Sequence, residues 1–123
     1  VDKMKKIMLV DDSYFVRESL KKIIPKEKYI IVGEADNGIE ALEKFREFLP
    51  DYVTLDIAMP DMDGLSALKE MLAIKPDTKI IMCSAMGQRP ILKEALDAGA
   101  LDFIIKPFEE SKVIELLNEI YEE

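Results

Sequence analysis

Histidine is absent from this 123-residue sequence, and cysteine occurs once, as Cys83. Without histidine there is no imidazole metal ligand, no histidine-based catalytic triad and no histidine acid/base step. The lone cysteine lies inside the apolar run Ile80-Ile81-Met82-Cys83 and has no partner within the chain, so it reads as a small buried hydrophobe rather than a reactive thiol. No run of about 18 apolar residues is present, and the leading Val1-Asp2-Lys3-Met4-Lys5-Lys6 lacks the apolar segment of a secretory signal. A soluble, cytoplasmic protein is expected. Positive charge is also in deficit. A net charge of −8 and a pI near 4.7 oppose attraction to nucleic acid phosphates or an anionic membrane, so direct binding to either is not expected.

What is present suffices for one core. At 123 residues and 49% hydrophobic content the chain can bury a domain without disulfides or structural metal, and a second domain does not fit. There is no linker, low-complexity tract or longer repeat, so residues 1–123 read as a single domain. Five short apolar runs recur: Ile7 to Val10, Tyr29 to Val32, Tyr52 to Leu55, Ile80 to Cys83 and Phe103 to Ile105. They are continuous rather than alternating, which is how strands buried on both faces of a parallel sheet read.

The segments between them carry a helical period. Val16, Leu20, Ile23 and Ile24 form one stripe before Pro25, and Ala41, Leu42, Phe45, Phe48 and Leu49 form another before Pro50. Leu65, Leu68 and Leu72 mark a third helix ahead of Pro76. Pro90 suits the first turn of a fourth that Gly99 ends, and Val113, Leu116, Leu117, Ile120 and Tyr121 mark the fifth. The expected architecture is α/β, with the βα unit repeated five times.

In open parallel sheets ligands bind beyond the carboxyl ends of the strands. Here those exits carry Asp11-Asp12, Asp56, Ser84 and Lys106-Pro107. Each has an ordinary structural reading. Asp11 or Asp12 could cap a helix, in competition with Ser13; Ser84 could bond to backbone; Lys106 could lie on the surface; and Phe103 alone would be core. Together they point to chemistry. Three carboxylates at one edge repel one another, which raises pKa values or draws in a cation. Oxygen ligands without histidine or cysteine favour Mg²⁺, which is held by one or two protein carboxylates and completes its shell with water and phosphate oxygens. With Lys106 and Mg²⁺ balancing the three acids, Asp56 becomes a plausible carboxylate nucleophile for a phosphoryl group. The Lys106–Pro107 peptide is a candidate for the cis form.

Val10-Asp11-Asp12, Asp56 followed by Met59-Pro60-Asp61-Met62-Asp63-Gly64, Ser84-Ala85, and Ala98-Gly99-Ala100 leading to Phe103-Ile104-Ile105-Lys106-Pro107-Phe108 resemble bacterial response-regulator receiver domains. Within that family, Cys83-Ser84-Ala85-Met86-Gly87-Gln88 is most similar to the stand-alone chemotaxis regulators. The resemblance implies a flavodoxin-like, doubly wound five-stranded sheet of order 2-1-3-4-5. It implies Asp56 as phosphoacceptor, and Asp12, Asp56 and the backbone carbonyl of Ala58 as Mg²⁺ ligands with Asp11 in the outer shell. Lys106 would pair with the acceptor and its phosphoryl group, Ser84 would move to bond a phosphoryl oxygen, and Phe103 would turn inward. Ala58 and Met86 occupy the positions that tune self-dephosphorylation. The implied function is a two-component signalling switch, phosphorylated by a chemotaxis-type histidine kinase and read by a flagellar motor switch protein or a phosphatase. The domain would be a monomer and no enzyme beyond its own phosphorylation and dephosphorylation.

Ser84 replaces the family's commoner threonine, and Phe103 stands where tyrosine is frequent. Two other readings make distinct predictions. Asp61-Met62-Asp63-Gly64-Leu65 resembles the start of the haloacid-dehalogenase phosphatase motif, although Pro60 precedes it, Leu65 replaces its threonine and no cap domain fits. Alternatively, the chain is a receiver cut from a DNA-binding response regulator; the close at Tyr121-Glu122-Glu123, without linker composition, favours the stand-alone form.

Overall fold

Five parallel strands alternate with five helices in the computed structural model, which describes residues 4–121. Val1 to Lys3 and Glu122 to Glu123, to which the readings of the leading and closing segments partly belong, lie outside the described residues. The elements are β1 (Lys5–Val10), α1 (Tyr14–Ile23), β2 (Tyr29–Ala35), α2 (Gly38–Phe48), β3 (Tyr52–Asp56), α3 (Gly64–Ile74), β4 (Lys79–Ala85), α4 (Arg89–Asp97), β5 (Asp102–Lys106) and α5 (Glu110–Glu119). The sheet order is β2-β1-β3-β4-β5, the flavodoxin-like arrangement implied by the resemblance.

Alternation along the central strands divides the core in two. Met8, Val10, Val53, Leu55, Ile80 and Met82 face α2, α3 and α4, where they meet Phe45, Leu68, Met71 and Ala95. Ile7, Leu9, Tyr52, Ile81, Cys83 and Ile104 face the other way, onto Leu20 and Ile23 of α1 and Val113 and Leu117 of α5. Each of the large apolar side chains so buried stabilises the fold by about 1.5–3 kcal/mol, which is why β1, β3 and β4 lack the polar alternation of a half-wet strand. Across the second layer the Tyr29 hydroxyl donates to the Leu117 carbonyl at 2.6 Å and the Tyr52 hydroxyl to the Ile120 carbonyl at 2.8 Å.

The edge strands depart from the sequence expectation. β2 and β5 are not buried on both faces; Ile30 and Phe103 are exposed. β2 also runs past its apolar residues through Gly33 and Glu34 to Ala35, with an irregularity where Ile7 faces Ile31 but Met8 faces Gly33. Side chains start three helices: Ser13, Asn37 and Asp63 accept the N–H groups of Val16, Glu40 and Ser66. Neither Asp11 nor Asp12 is the cap of α1. Pro90 lies in the first turn of α4, and Gly99, at φ 119°, follows its end in the left-handed region that glycine tolerates.

Candidate functional site

The three acids meet beyond the carboxyl edge of β1 and β3. One oxygen from each of Asp11, Asp12 and Asp56 lies within 4.8 Å of the others, a spacing that could hold a metal ion. Lys106, delivered by β5, sets its ammonium 2.7 Å from Asp11 Oδ2 and 3.5 Å from Asp56 Oδ1. Its peptide bond to Pro107 is cis. Ser84 of β4 lies one residue past Cys83, the register partner of Asp56, and opposite Ile105, which precedes Lys106, so the register sets all four strand exits named from the sequence along the same sheet edge.

Asp11 is anchored on every side. Its N–H donates to the Ala35 carbonyl (3.0 Å), its own carbonyl accepts from Arg17 Nη1 (2.5 Å), and Oδ1 accepts the Ser13 N–H (2.9 Å). Oδ2 is fully buried, with the Lys106 ammonium 2.7 Å away as its charge partner. Three acids facing one lysine leave negative charge uncompensated, which fits a site completed by a hard divalent cation. Asp12, by contrast, is exposed.

Asp56 is 5% exposed, and its Oδ1 accepts the Ala58 N–H at 3.2 Å. Burial, and then the charge of Asp11, push its carboxyl up to about 6, against the opposing pull of Lys106. For Lys106, burial pulls the pKa down, but the bonds and charges of Asp11 and Asp56 outweigh it and the ammonium is held charged. Burial raises the Cys83 thiol to about 12, consistent with the inert hydrophobe inferred from its surroundings.

The loop after β3 folds back tightly. The Gly64 N–H donates to the Ile57 carbonyl at 2.6 Å, and a Cβ on Gly64 would stand 2.3 Å from the Asp56 carbonyl oxygen. Only glycine permits that approach. Asp61 reaches across to the start of α2 and accepts the N–H groups of Gly38 (2.8 Å) and Ile39 (3.0 Å), which hold its pKa below the ordinary carboxylate range. Asp63 caps α3. Both acids of the Asp61-Met62-Asp63-Gly64 stretch are thus engaged on helix N-termini, outside the carboxylate cluster, which removes the structural footing of the phosphatase reading.

The remaining residues frame the site. Ser84 Oγ is buried and takes no hydrogen-bond partner, so the expected bond to backbone is not made. Phe103 points outward, 39% exposed, rather than into the core as an aromatic at the head of an apolar run suggests; it stands on an edge strand. Ala58 and Met86 are both exposed, Met86 at 81%. Three participants were not legible in the sequence: Arg17, the Glu34 it pairs with at 3.0 Å, and Gln88, whose side-chain oxygen accepts the Ala85 N–H at 2.7 Å. Arg17 and Glu34 come from α1 and β2 and meet only once the helix packs on the sheet. No helix among the described residues is long and apolar enough to cross a membrane.

Residues 7–118 match the model of the response regulator receiver domain. The chain is 53% identical over 116 residues to the chemotaxis protein CheY of Thermotoga maritima, covering 94% of this chain and 97% of that protein. It is 50% identical to CheY of Bacillus subtilis, covering 92% and 94%. Among solved structures, a chain of the CheX-CheY-BeF3-Mg²⁺ complex of Borrelia burgdorferi superposes with a TM-score of 0.88 at 34% identity, over 97% of this chain and 90% of that one.

Proposed function

The chain belongs to the response regulator receiver domain family, close to the CheY chemotaxis regulators, and on that premise we propose the following roles for its residues. Membership makes it a phosphorylation-activated signalling switch of a two-component system. Asp56 is the phosphoacceptor: a carboxylate oxygen attacks phosphorus, and the bond from phosphorus to the imidazole nitrogen of a chemotaxis-type histidine kinase breaks as the acyl phosphate forms. The observation that carries this reading is the convergence of Asp11, Asp12, Asp56 and Lys106 at one strand edge, three acids against one lysine.

Asp12, Asp56 and the Ala58 carbonyl would hold Mg²⁺, with Asp11 in its outer shell. When bound, the ion supplies charge neutralisation for the transferring phosphoryl oxygens. Lys106 stays protonated and moves from pairing the free carboxylate to pairing its phosphate. The hydroxyl of Ser84 has no competing bond to break when a phosphoryl oxygen comes within reach. Its movement leaves room for Phe103 to turn inward, and the surface of α4, β5 and α5 changes accordingly. A flagellar motor switch protein is the proposed reader, and a phosphatase a proposed second partner, in keeping with the CheX partner of the Borrelia protein. The whole chain acts as one monomeric domain and catalyses nothing beyond its own phosphorylation and dephosphorylation.

The test is chemical. Incubation with Mg²⁺ and acetyl phosphate should add about 80 Da, labile to hydroxylamine and absent from Asp56→Asn. Wild type that takes up no mass with any donor would reject the reading. Phosphorylated protein should also bind the motor switch protein more tightly than unmodified protein, and equal affinity would exclude that reader.

A further inference from the structure

We propose that Arg17 is a positioning residue for the metal-binding carboxylates, acting through the backbone of Asp11 and itself aimed by Glu34; the inference rests on the Mg²⁺ site assigned above. Arg17 lies on α1, yet its side chain is only 12% exposed. Its guanidinium is divided between two elements. Nη1 donates to the Asp11 carbonyl at 2.5 Å, and Nε donates to Glu34 Oε1, on the edge strand β2, at 3.0 Å.

Glu34 is held in turn. Lys21 Nζ stands 2.5 Å from its other oxygen, and Lys44 donates to its backbone carbonyl. Burial alone would raise the Glu34 pKa, but Lys21 and Arg17 outweigh it and keep the carboxylate ionised. A largely buried arginine needs its donors filled, and a planar fork that spans a carboxylate and a peptide oxygen fixes both in direction.

The oxygen it grips belongs to the peptide that joins Asp11 to Asp12. That unit is planar, so fixing the carbonyl fixes the N–H side from which Asp12 departs. Asp12 is exposed, so its direction comes from its backbone rather than from packing around its side chain. Arg17 and Glu34 therefore aim both neighbouring acids from a place that touches neither carboxylate.

Positioning and simple electrostatics predict opposite signs. Removing a cation from beside the site should strengthen Mg²⁺ binding by Coulomb attraction alone. Loosening the acids should weaken it, by about tenfold as for other outer supports of metal ligands. Calorimetric titration of the full chain with Mg²⁺ separates them, with melting of the metal-free proteins measured alongside. We expect Arg17→Ala to weaken Mg²⁺ binding about tenfold and to speed hydrogen exchange at the Ser13 amide, which donates to Asp11 Oδ1. Arg17→Lys keeps the charge but not the fork and should weaken binding by about threefold. Unchanged or tighter binding in Arg17→Ala overturns the proposal. If that variant does not fold, Arg17→Lys decides, and wild-type affinity there overturns it equally. Wild type that binds no more Mg²⁺ than Asp12→Asn would reject the metal site and this inference together, whereas normal wild-type binding with indifferent Arg17 variants rejects only the inference.

Discussion

Two halves of the same site are built in opposite ways. On the side of β1 and β3, Asp11 is tied through its N–H, its carbonyl and both carboxylate oxygens, Asp56 accepts from Ala58, and Gly64 presses its backbone against that of Asp56. On the side of β4 and β5, Ser84 Oγ is unpartnered, Phe103 and Met86 face solvent, and Gly87 has open space around it. The first half concentrates charge, and charge held close to charge needs rigid dipoles around it. The second half has few bonds to break, which suits a part that must take up a new arrangement at small cost.

The comparison is most exposed to test at Gly64. Gly64→Ala drives a methyl into backbone and should cost about 3 kcal/mol or more in chemical denaturation. A loss under 1 kcal/mol would show the tied half to be softer than its geometry implies. Next in size is the effect of pH. The folded Asp56 carboxyl, at about 6, holds its proton more tightly than the unfolded chain, whose value is near 3.8, so this group's contribution to metal-free stability falls as pH rises through that window. Mg²⁺ must displace that proton, so its affinity should drop about tenfold per pH unit below the Asp56 pKa and level off above it. Calorimetry at pH 5 and pH 7.5 checks this, and a flat profile would mean that Asp56 is not a ligand.

Smaller effects belong to the loose half. Phe103→Ala should cost about 1–2 kcal/mol in melting experiments, below the roughly 3–5 kcal/mol of a fully buried phenylalanine, because over a third of the residue is in water. A core-sized loss would restore the buried reading. Ser84→Ala removes a buried hydroxyl without a partner and should leave stability unchanged or raise it by about 1 kcal/mol, while abolishing any gain in partner affinity on phosphorylation. A loss of stability would reveal a bond holding that hydroxyl.

The sequence carried the central strands and the acids because both depend on short-range chemistry. Ile and Val runs such as Ile80-Ile81 can only be strand or buried helix, and their length and Pro or Gly borders decide between them. Asp56 at the end of such a run has little structural use unless paired. Edge position is a property of the whole sheet, which is why Phe103 reads as core and is not, and why β2 continues unseen through Gly33 and Glu34. The bridge from Asp61 to the start of α2, over 22 and 23 residues of sequence, exists only once the loops are folded.

The two tyrosines beneath the sheet give α5 a mechanical character. Tyr29 and Tyr52 donate to the carbonyls of Leu117 and Ile120, at the C-terminal end of the helix, and burial raises the Tyr29 pKa so that this hydroxyl remains a donor. At the other end, Glu109 provides no side-chain cap. The helix is thus bonded to the sheet at its far end and held by packing, through Phe108 and Val113, at the end that follows Lys106, so among the described residues a displacement carried along β5 meets directed bonds to the sheet only from Leu117 onward.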